Sequence, residues 1–218
     1  MPKEKFPGVF LIKGKLATIN SVPGFRPFGE RTFTEDDKEY RMWDPNRSKA
    51  GAAIMKGIKK FPIHHRTKVL YLGIAHGFTA SYLSNIIGEE GIIYGVEFSD
   101  RCFRELVPVT EKYDNIVPIM ADARFPDRYG VSEKVDVVFV DIAQPDLTDI
   151  AIRNCKEFLK EDGYLMLAVK TQSIDVTKSS KKVTDEQLKK LIQHGFEIID
   201  WKMLDPFEAK HSFIVARY

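Results

Sequence analysis

Four short stretches of this 218-residue chain put polar groups where an apolar run stops. The run KVLYLGI breaks into Gly73-Ile74-Ala75-His76-Gly77-Phe78-Thr79-Ala80. Its two glycines permit a tight turn and a close backbone approach, and the start of the helix that follows offers amides to a polar ligand. GIIYGVEF reaches Glu97, 24 residues beyond Gly73. An acid about 20 residues past such a turn is placed to accept from both hydroxyls of a ribose. IVPIMAD brings up Asp122 and Ala123, a carboxylate suited to an adenine amino group, and VDVVFVD ends in Asp141-Ile142-Ala143-Gln144-Pro145. Any one of these acids serves equally well as a helix or turn cap. The glycine turn is a weak signal alone, since the GxGxxG dinucleotide fingerprint is not met. Four together point to an adenosine-bearing cofactor, and leave open whether that is NAD or S-adenosylmethionine.

Such residues act together only if the runs lie side by side. The pattern predicts this: KVLYLGI, a helix from about Thr79, GIIYGVEF, a helix opening at Ser99, IVPIMAD, VDVVFVD, a helix ending near Lys160, and YLMLAVK alternate with near-continuous apolar strands. That is the requirement of a parallel sheet covered on both faces, so the fold class is doubly wound α/β, with ligands beyond the carboxyl ends of the strands. Thr184 and Gln187 have capping-box spacing for a last helix, which Gly195 would close. FEIIDWKML and HSFIVARY, joined by DPFEAK, predict a hairpin and a C-terminal antiparallel strand. Upstream, residues 1–44 carry short β-like runs around the turn SVPGFRPFGE and read as a small β-rich extension, with the main domain spanning 45–218 and opening on the helix-compatible NRSKAGAAIMKGI.

Composition narrows the class. With 33 basic and 31 acidic residues the net charge is +2, too weak a field to draw in a polyanion unaided. Basic residues bunch at Lys56, Lys59, Lys60, His64, His65, Arg66 and Lys68, and again at Lys178, Lys181 and Lys182; either cluster is a solvated face or a local anion site. Cys102 and Cys155 have no metal-ligand spacing, so free thiols and no metal are expected. No apolar run is long enough to cross a bilayer and the first residues lack a signal-peptide pattern, so a cytoplasmic protein is expected.

The motifs YLGIAHGFTASYLSNIIG, GVEFSDRCFREL, DVVFVDIAQPDLTDIAIRN and GYLMLAVKTQSIDVT resemble those of the fibrillarin family, as do YRMWDPNRSKAGAAI upstream and KHSFIVARY at the end. The resemblance covers nearly the whole chain and, without a Gly/Arg-rich tail, is to archaeal members. It implies the S-adenosylmethionine-dependent methyltransferase fold and transfer of a methyl group to the ribose 2′-hydroxyl of rRNA and tRNA. It implies cofactor contacts at Thr79, Ala80, Glu97, Phe98, Asp122, Ala123, Asp141, Ile142, Ala143 and Gln144, and a catalytic set of Lys49, Asp141, Lys170 and His211. The implied partners are a box C/D guide RNA, a Nop-domain scaffold protein and a kink-turn-binding protein. Two positions depart from the pattern: His76 stands where a small residue is usual, close to the cofactor's methionine end, and Thr171-Gln172 replaces a common Ala-Arg.

On this reading Lys170, lowered by burial and held by Asp141, stabilises or deprotonates the attacking oxygen, Lys49 binds a phosphate or orients the ribose, and His211 completes the polar ring. A methyltransferase acting on protein glutamine, an NAD-dependent dehydrogenase and a non-catalytic RNA-binding module are the rival readings.

Overall fold

The computed structural model describes residues 1–218. Its central element is a seven-stranded sheet built from β6 (Lys68–Leu72), β7 (Ile92–Glu97), β8 (Ile116–Met120), β9 (Val135–Val140), β10 (Leu159–Lys170), β11 (Glu197–Met203) and β12 (His211–Arg217). The order is β11-β12-β10-β9-β6-β7-β8. From β10 to β8 the neighbours are parallel, whereas β12 is antiparallel to both β10 and β11. The antiparallel strand is thus inserted between β10 and β11 rather than added at the edge.

Period-two alternation divides the core. Val69 and Tyr71 of β6, with Val137 and Phe139 of β9, face a cluster completed by α1 (Lys49–Met55), α2 (Phe78–Ile87) and α3 (Asp100–Thr110). Leu70, Leu72, Val138 and Val140 face the opposite cluster, closed by α4 (Leu147–Phe158) and α6 (Ser180–Gln193). With both faces covered, the strands are apolar throughout, as a doubly wound sheet requires.

The final helix starts a turn before the expected capping box. Ser179 caps it, accepting from the Lys182 amide at 3.3 Å. Thr184 lies inside the helix, bonded to the Ser180 carbonyl and the Ser212 hydroxyl, each at 2.8 Å, and Gln187 accepts from Thr148 at 2.8 Å. Both polar side chains are satisfied by tertiary partners, which removes the need for a helix start at Thr184. Gly195 follows the helix with φ +91°, the left-handed stop its type allows.

The extension is a five-stranded antiparallel sheet of β1 (Lys3–Phe6), β2 (Val9–Ile12), β3 (Lys15–Ile19), β4 (Thr32–Glu35) and β5 (Lys38–Met42), in the order β1-β2-β3-β5-β4. Its Val9 and Leu16, with Trp43 just after it, join the main core cluster. A fully buried arginine fastens it to the larger sheet's helices. Arg41 Nη2 lies 2.5 Å from Glu30 Oε1, Nη1 donates to the Tyr113 hydroxyl at 2.6 Å, Nη2 donates to Ser81 Oγ at 3.1 Å, and the guanidinium lies 4.4 Å from the Tyr82 ring centre. Glu30 in turn accepts from the Phe28 amide at 2.9 Å. Removing one member strands a buried charge, which costs about 3–5 kcal/mol. Arg41→Met is therefore expected to lower stability by about that amount in denaturant titration, and the double variant Arg41→Met/Glu30→Gln to lose less than the two single variants summed.

Candidate functional site

The parallel strands end on one edge, and their register decides what meets there. Leu72 pairs with Val96 on one side and Val140 on the other, and Glu97 pairs with Met120. Gly73, Glu97, Asp141 and the segment holding Asp122 are thereby neighbours. Gly73 has φ +80°, and a Cβ there would lie 2.5 Å from the Asp141 carbonyl oxygen and 2.6 Å from Ile142 Cγ2. Only glycine lets the ends of β6 and β9 approach this closely. Gly77, at φ +88°, precedes α2.

Glu97 is 7% exposed, and its two oxygens are aimed by backbone. Oε2 accepts from the Ala75 amide at 2.9 Å and Oε1 from the Ser99 amide at 2.8 Å. Each oxygen keeps a lone pair, which suits a diol approaching from the crevice. Phe98 beside it is 65% exposed, a flat apolar face at the mouth.

Thr79 and Ala80 are buried in the first turn of α2. Thr79 donates its hydroxyl to Ser48 Oγ at 2.9 Å, so what these two residues present to a ligand is the first-turn amide row, which has no intrahelical acceptor.

Asp122 is already engaged. Arg124 Nη2 donates to Oδ2 at 2.6 Å, Nε reaches both oxygens, and the Arg124 amide reaches Oδ1 at 3.0 Å. The guanidinium's hydrogen bonds hold this carboxyl below its ordinary range. For Asp122 to accept from an adenine amino group, Arg124 must release one of these contacts. Ala123 presents its carbonyl to Asn154 Nδ2 at 2.8 Å. Ile142 and Gln144 are half-buried and Ala143 is exposed, continuing from Asp141 along the crevice.

The four proposed catalytic side chains come as two pairs. Lys49 Nζ lies 3.1 Å from Asp141 Oδ1 and 3.3 Å from Oδ2. Burial pulls the Lys49 ammonium down, but Asp141's charge and hydrogen bond, with Glu208's charge behind them, raise it above the usual lysine value. Lys170 is the register partner of His211 across β10 and β12. It is exposed and forms no ion pair, so the expected link from Asp141 to Lys170 is replaced by the one to Lys49, and the burial expected of Lys170 is absent. His211 Nδ1 lies 2.8 Å from the Ala209 carbonyl and 4.0 Å from Glu208 Oε2. A carbonyl only accepts, so Nδ1 carries the hydrogen and Nε2 is the ring's acceptor.

The helix bearing Lys49 is positioned by a residue that motif reasoning passed over. Ser48 is 2% exposed and caps α1, accepting from the Gly51 amide at 3.2 Å as well as from Thr79. The signal was present as a serine directly before a helix-forming stretch. Arg124, two residues after Asp122, and Glu208 behind Lys49 were not signalled by any motif.

His76 does not point along the crevice. Its ring meets Phe28 edge-on at 5.5 Å, and it lines a hollow with Phe25, Pro27, Glu105 and Pro108. The basic cluster from Lys56 to Lys68 lies toward the opposite edge, where Lys68 opens β6. His65 and Arg66 pair there with Glu90, and Lys68 with Glu133, while Lys56, Lys59 and Lys60 make no ion pair. A cavity of about 720 Å³ between the extension and residues 43–47 includes none of the strand-end acids. No group of side chains has the spacing to hold a metal ion, and no helix is long and apolar enough to cross a membrane.

The fibrillarin family model matches residues 1–218. A fibrillarin-like rRNA/tRNA 2′-O-methyltransferase of Pyrococcus furiosus is 50% identical, covering 99% of this chain and 97% of its own. The crystal structure of Aeropyrum pernix fibrillarin with natively bound S-adenosyl-L-methionine superposes with a TM-score of 0.91 at 43% identity, covering 99% of this chain and 97% of that one. Fibrillarin from a fibrillarin/Nop5p complex gives 0.90 at 38% identity over 99% and 100%. A mostly parallel, helix-covered sheet with its polar groups gathered at one edge, matched over its full length, makes this chain a member of the fibrillarin family.

Proposed function

We infer that this chain transfers a methyl group from S-adenosylmethionine to a ribose 2′-hydroxyl of rRNA and tRNA. The observation that carries the reading is the edge on which a ribose-directed carboxylate, Glu97, stands beside Asp141 with its Lys49 partner, in a chain half identical to a protein of that name. The residues suit the cofactor: Glu97 for the diol, the Thr79 and Ala80 amides for polar atoms, Phe98 and Ile142 for the adenine faces, and Ala143 and Gln144 along the crevice. When bound, the cofactor supplies an electrophilic methyl group.

The chain's own residues align the acceptor and manage its charge. Asp141 fixes Lys49 at the mouth, where the ammonium can hold an adjacent phosphate or the ribose. Lys170, exposed and unpaired, is a free positive charge for the 2′-oxygen as it becomes anionic. His211 Nε2 can accept the hydroxyl hydrogen, because Nδ1 is committed to the Ala209 carbonyl.

The target nucleotide is selected, in this reading, by a box C/D guide RNA, with a Nop-domain scaffold of the kind in the fibrillarin/Nop5p complex docking the enzyme and a kink-turn-binding protein completing a cytoplasmic particle. Residues 1–44 form the extension and 45–218 the methyltransferase domain.

Two experiments test the assignments. Labelled methyl transfer to a guide-matched RNA should appear at one 2′-oxygen, and Lys170→Ala should lower it by roughly 10²–10³-fold, the effect of deleting one charge-stabilising donor, while S-adenosylmethionine affinity by calorimetry is retained. Equal loss of both would remove Lys170 from the chemistry. Ser48→Ala should cost about 1 kcal/mol of stability as a lost cap and reduce methyl transfer more than cofactor affinity, with Ser48→Thr restoring both; cofactor affinity falling alone would place Ser48 outside the positioning of Lys49.

A further inference from the structure

We propose that Lys181, Lys182 and Lys210 form a basic rim beside Lys170 that holds the ribose–phosphate backbone flanking the target nucleotide, and that Thr171 assembles this rim. The proposal rests on the RNA methyltransferase reading above. Thr171 is 2% exposed and joins three segments. Its amide and hydroxyl donate to the Lys210 carbonyl at 3.1 and 2.8 Å, and its Oγ1 lies 2.9 Å from the hydroxyl of Ser180, at the start of α6. Lys210 therefore stays next to Lys170, whose strand pairs His211 against it, and the first turn of α6 is brought to the same edge.

Lys210 has φ +59°, in the left-handed region that residues other than glycine uncommonly adopt. The two hydrogen bonds from Thr171 hold its carbonyl in place.

The charges on this edge are sorted. Lys178 is compensated by Glu186 at 2.9 Å and Asp175 at 3.2 Å. Lys170, Lys181, Lys182 and Lys210 are exposed and make no ion pair. The acids nearby are Asp185 on α6, with no cation on it, and Glu208, which faces His211. With a net charge of only +2 the molecule as a whole does not gather RNA, so an uncompensated cluster at the mouth is where backbone phosphates gain most.

The test is single-turnover methyl transfer to a guide-matched RNA in the reconstituted particle, measured across a potassium chloride series. Lys181→Ala/Lys182→Ala and Lys210→Ala are each expected to slow transfer roughly tenfold near 0.15 M salt and to flatten the log rate against log salt slope by about 0.7–0.9 per phosphate contact removed. Arginine at the same positions should restore both, with cofactor affinity and particle assembly unchanged. Thr171→Val should behave like the lysine variants and Thr171→Ser like the parent. Alanine variants with the parental rate and slope overturn the proposal, and so does loss of the scaffold protein from the particle, which would make the rim a protein-docking face. A parent enzyme that transfers no methyl group to RNA overturns the methyltransferase reading and the rim with it, so the two failures are distinguishable.

Discussion

Asp141 is held from every direction that matters for the site. Its amide donates to the Leu72 carbonyl at 2.9 Å, its own carbonyl lies against Gly73, and its carboxylate holds Lys49. The first two contacts belong to the sheet, and the third reaches a helix that packs on it. A side chain at position 73 would push apart the ends of β6 and β9, moving the carboxylate and Lys49 together. The glycine turn thus contributes twice: it gives a ligand access to backbone, and it sets the spacing of the two strands from which the chemistry departs.

The extension serves the same edge from outside. Glu30 links Arg41 to the Phe28 amide, and the Phe28 ring packs on both His76 and Phe78. Arg41 also reaches Ser81, inside α2. The first turn of α2, whose amides face the crevice, is thereby braced between the large sheet and the small one. A buried ion pair is a poor source of net stability, but it penalises any arrangement that leaves one partner alone. Its use here is to specify one seating of the extension on α2, and with it the shape of the turn after β6.

Strand identity and strand ends were legible because buried parallel strands read as apolar runs and ligand-facing residues follow them directly. Gly73, Glu97 and Asp141 do lie at or just after strand ends, and the register makes them neighbours. Three features were not legible, each for a tertiary reason. The capping-box spacing at Thr184 and Gln187 is also the spacing of one helix face, and only Ser212 and Thr148 on other elements show that the two residues serve as buried contacts. Asp141 was given to Lys170, its neighbour across the sheet, but Lys49 reaches it from a helix 92 residues away in sequence. The packing of the His76 ring on Phe28 of the extension is invisible to any local pattern.

The partition between Lys49 and Lys170 has a consequence for how the site works. Two lysines at one mouth would be interchangeable charges if both were free. Asp141 ties one of them down, with Glu208's charge behind it, so Lys49 is a paired ammonium before any substrate arrives. Lys170 has no such partner, so under the proposed assignment nothing on the protein would compete with the acceptor oxygen for it. An electrostatic contact speeds a reaction only if it is stronger in the transition state than in the ground state. A lysine already satisfied by a carboxylate gains little as charge develops, whereas an unpaired one gains most at the moment the 2′-oxygen becomes anionic. In the proposed reaction, pairing Asp141 with Lys49 would leave Lys170 available for that moment, dividing orientation and charge stabilisation between two side chains of the same type.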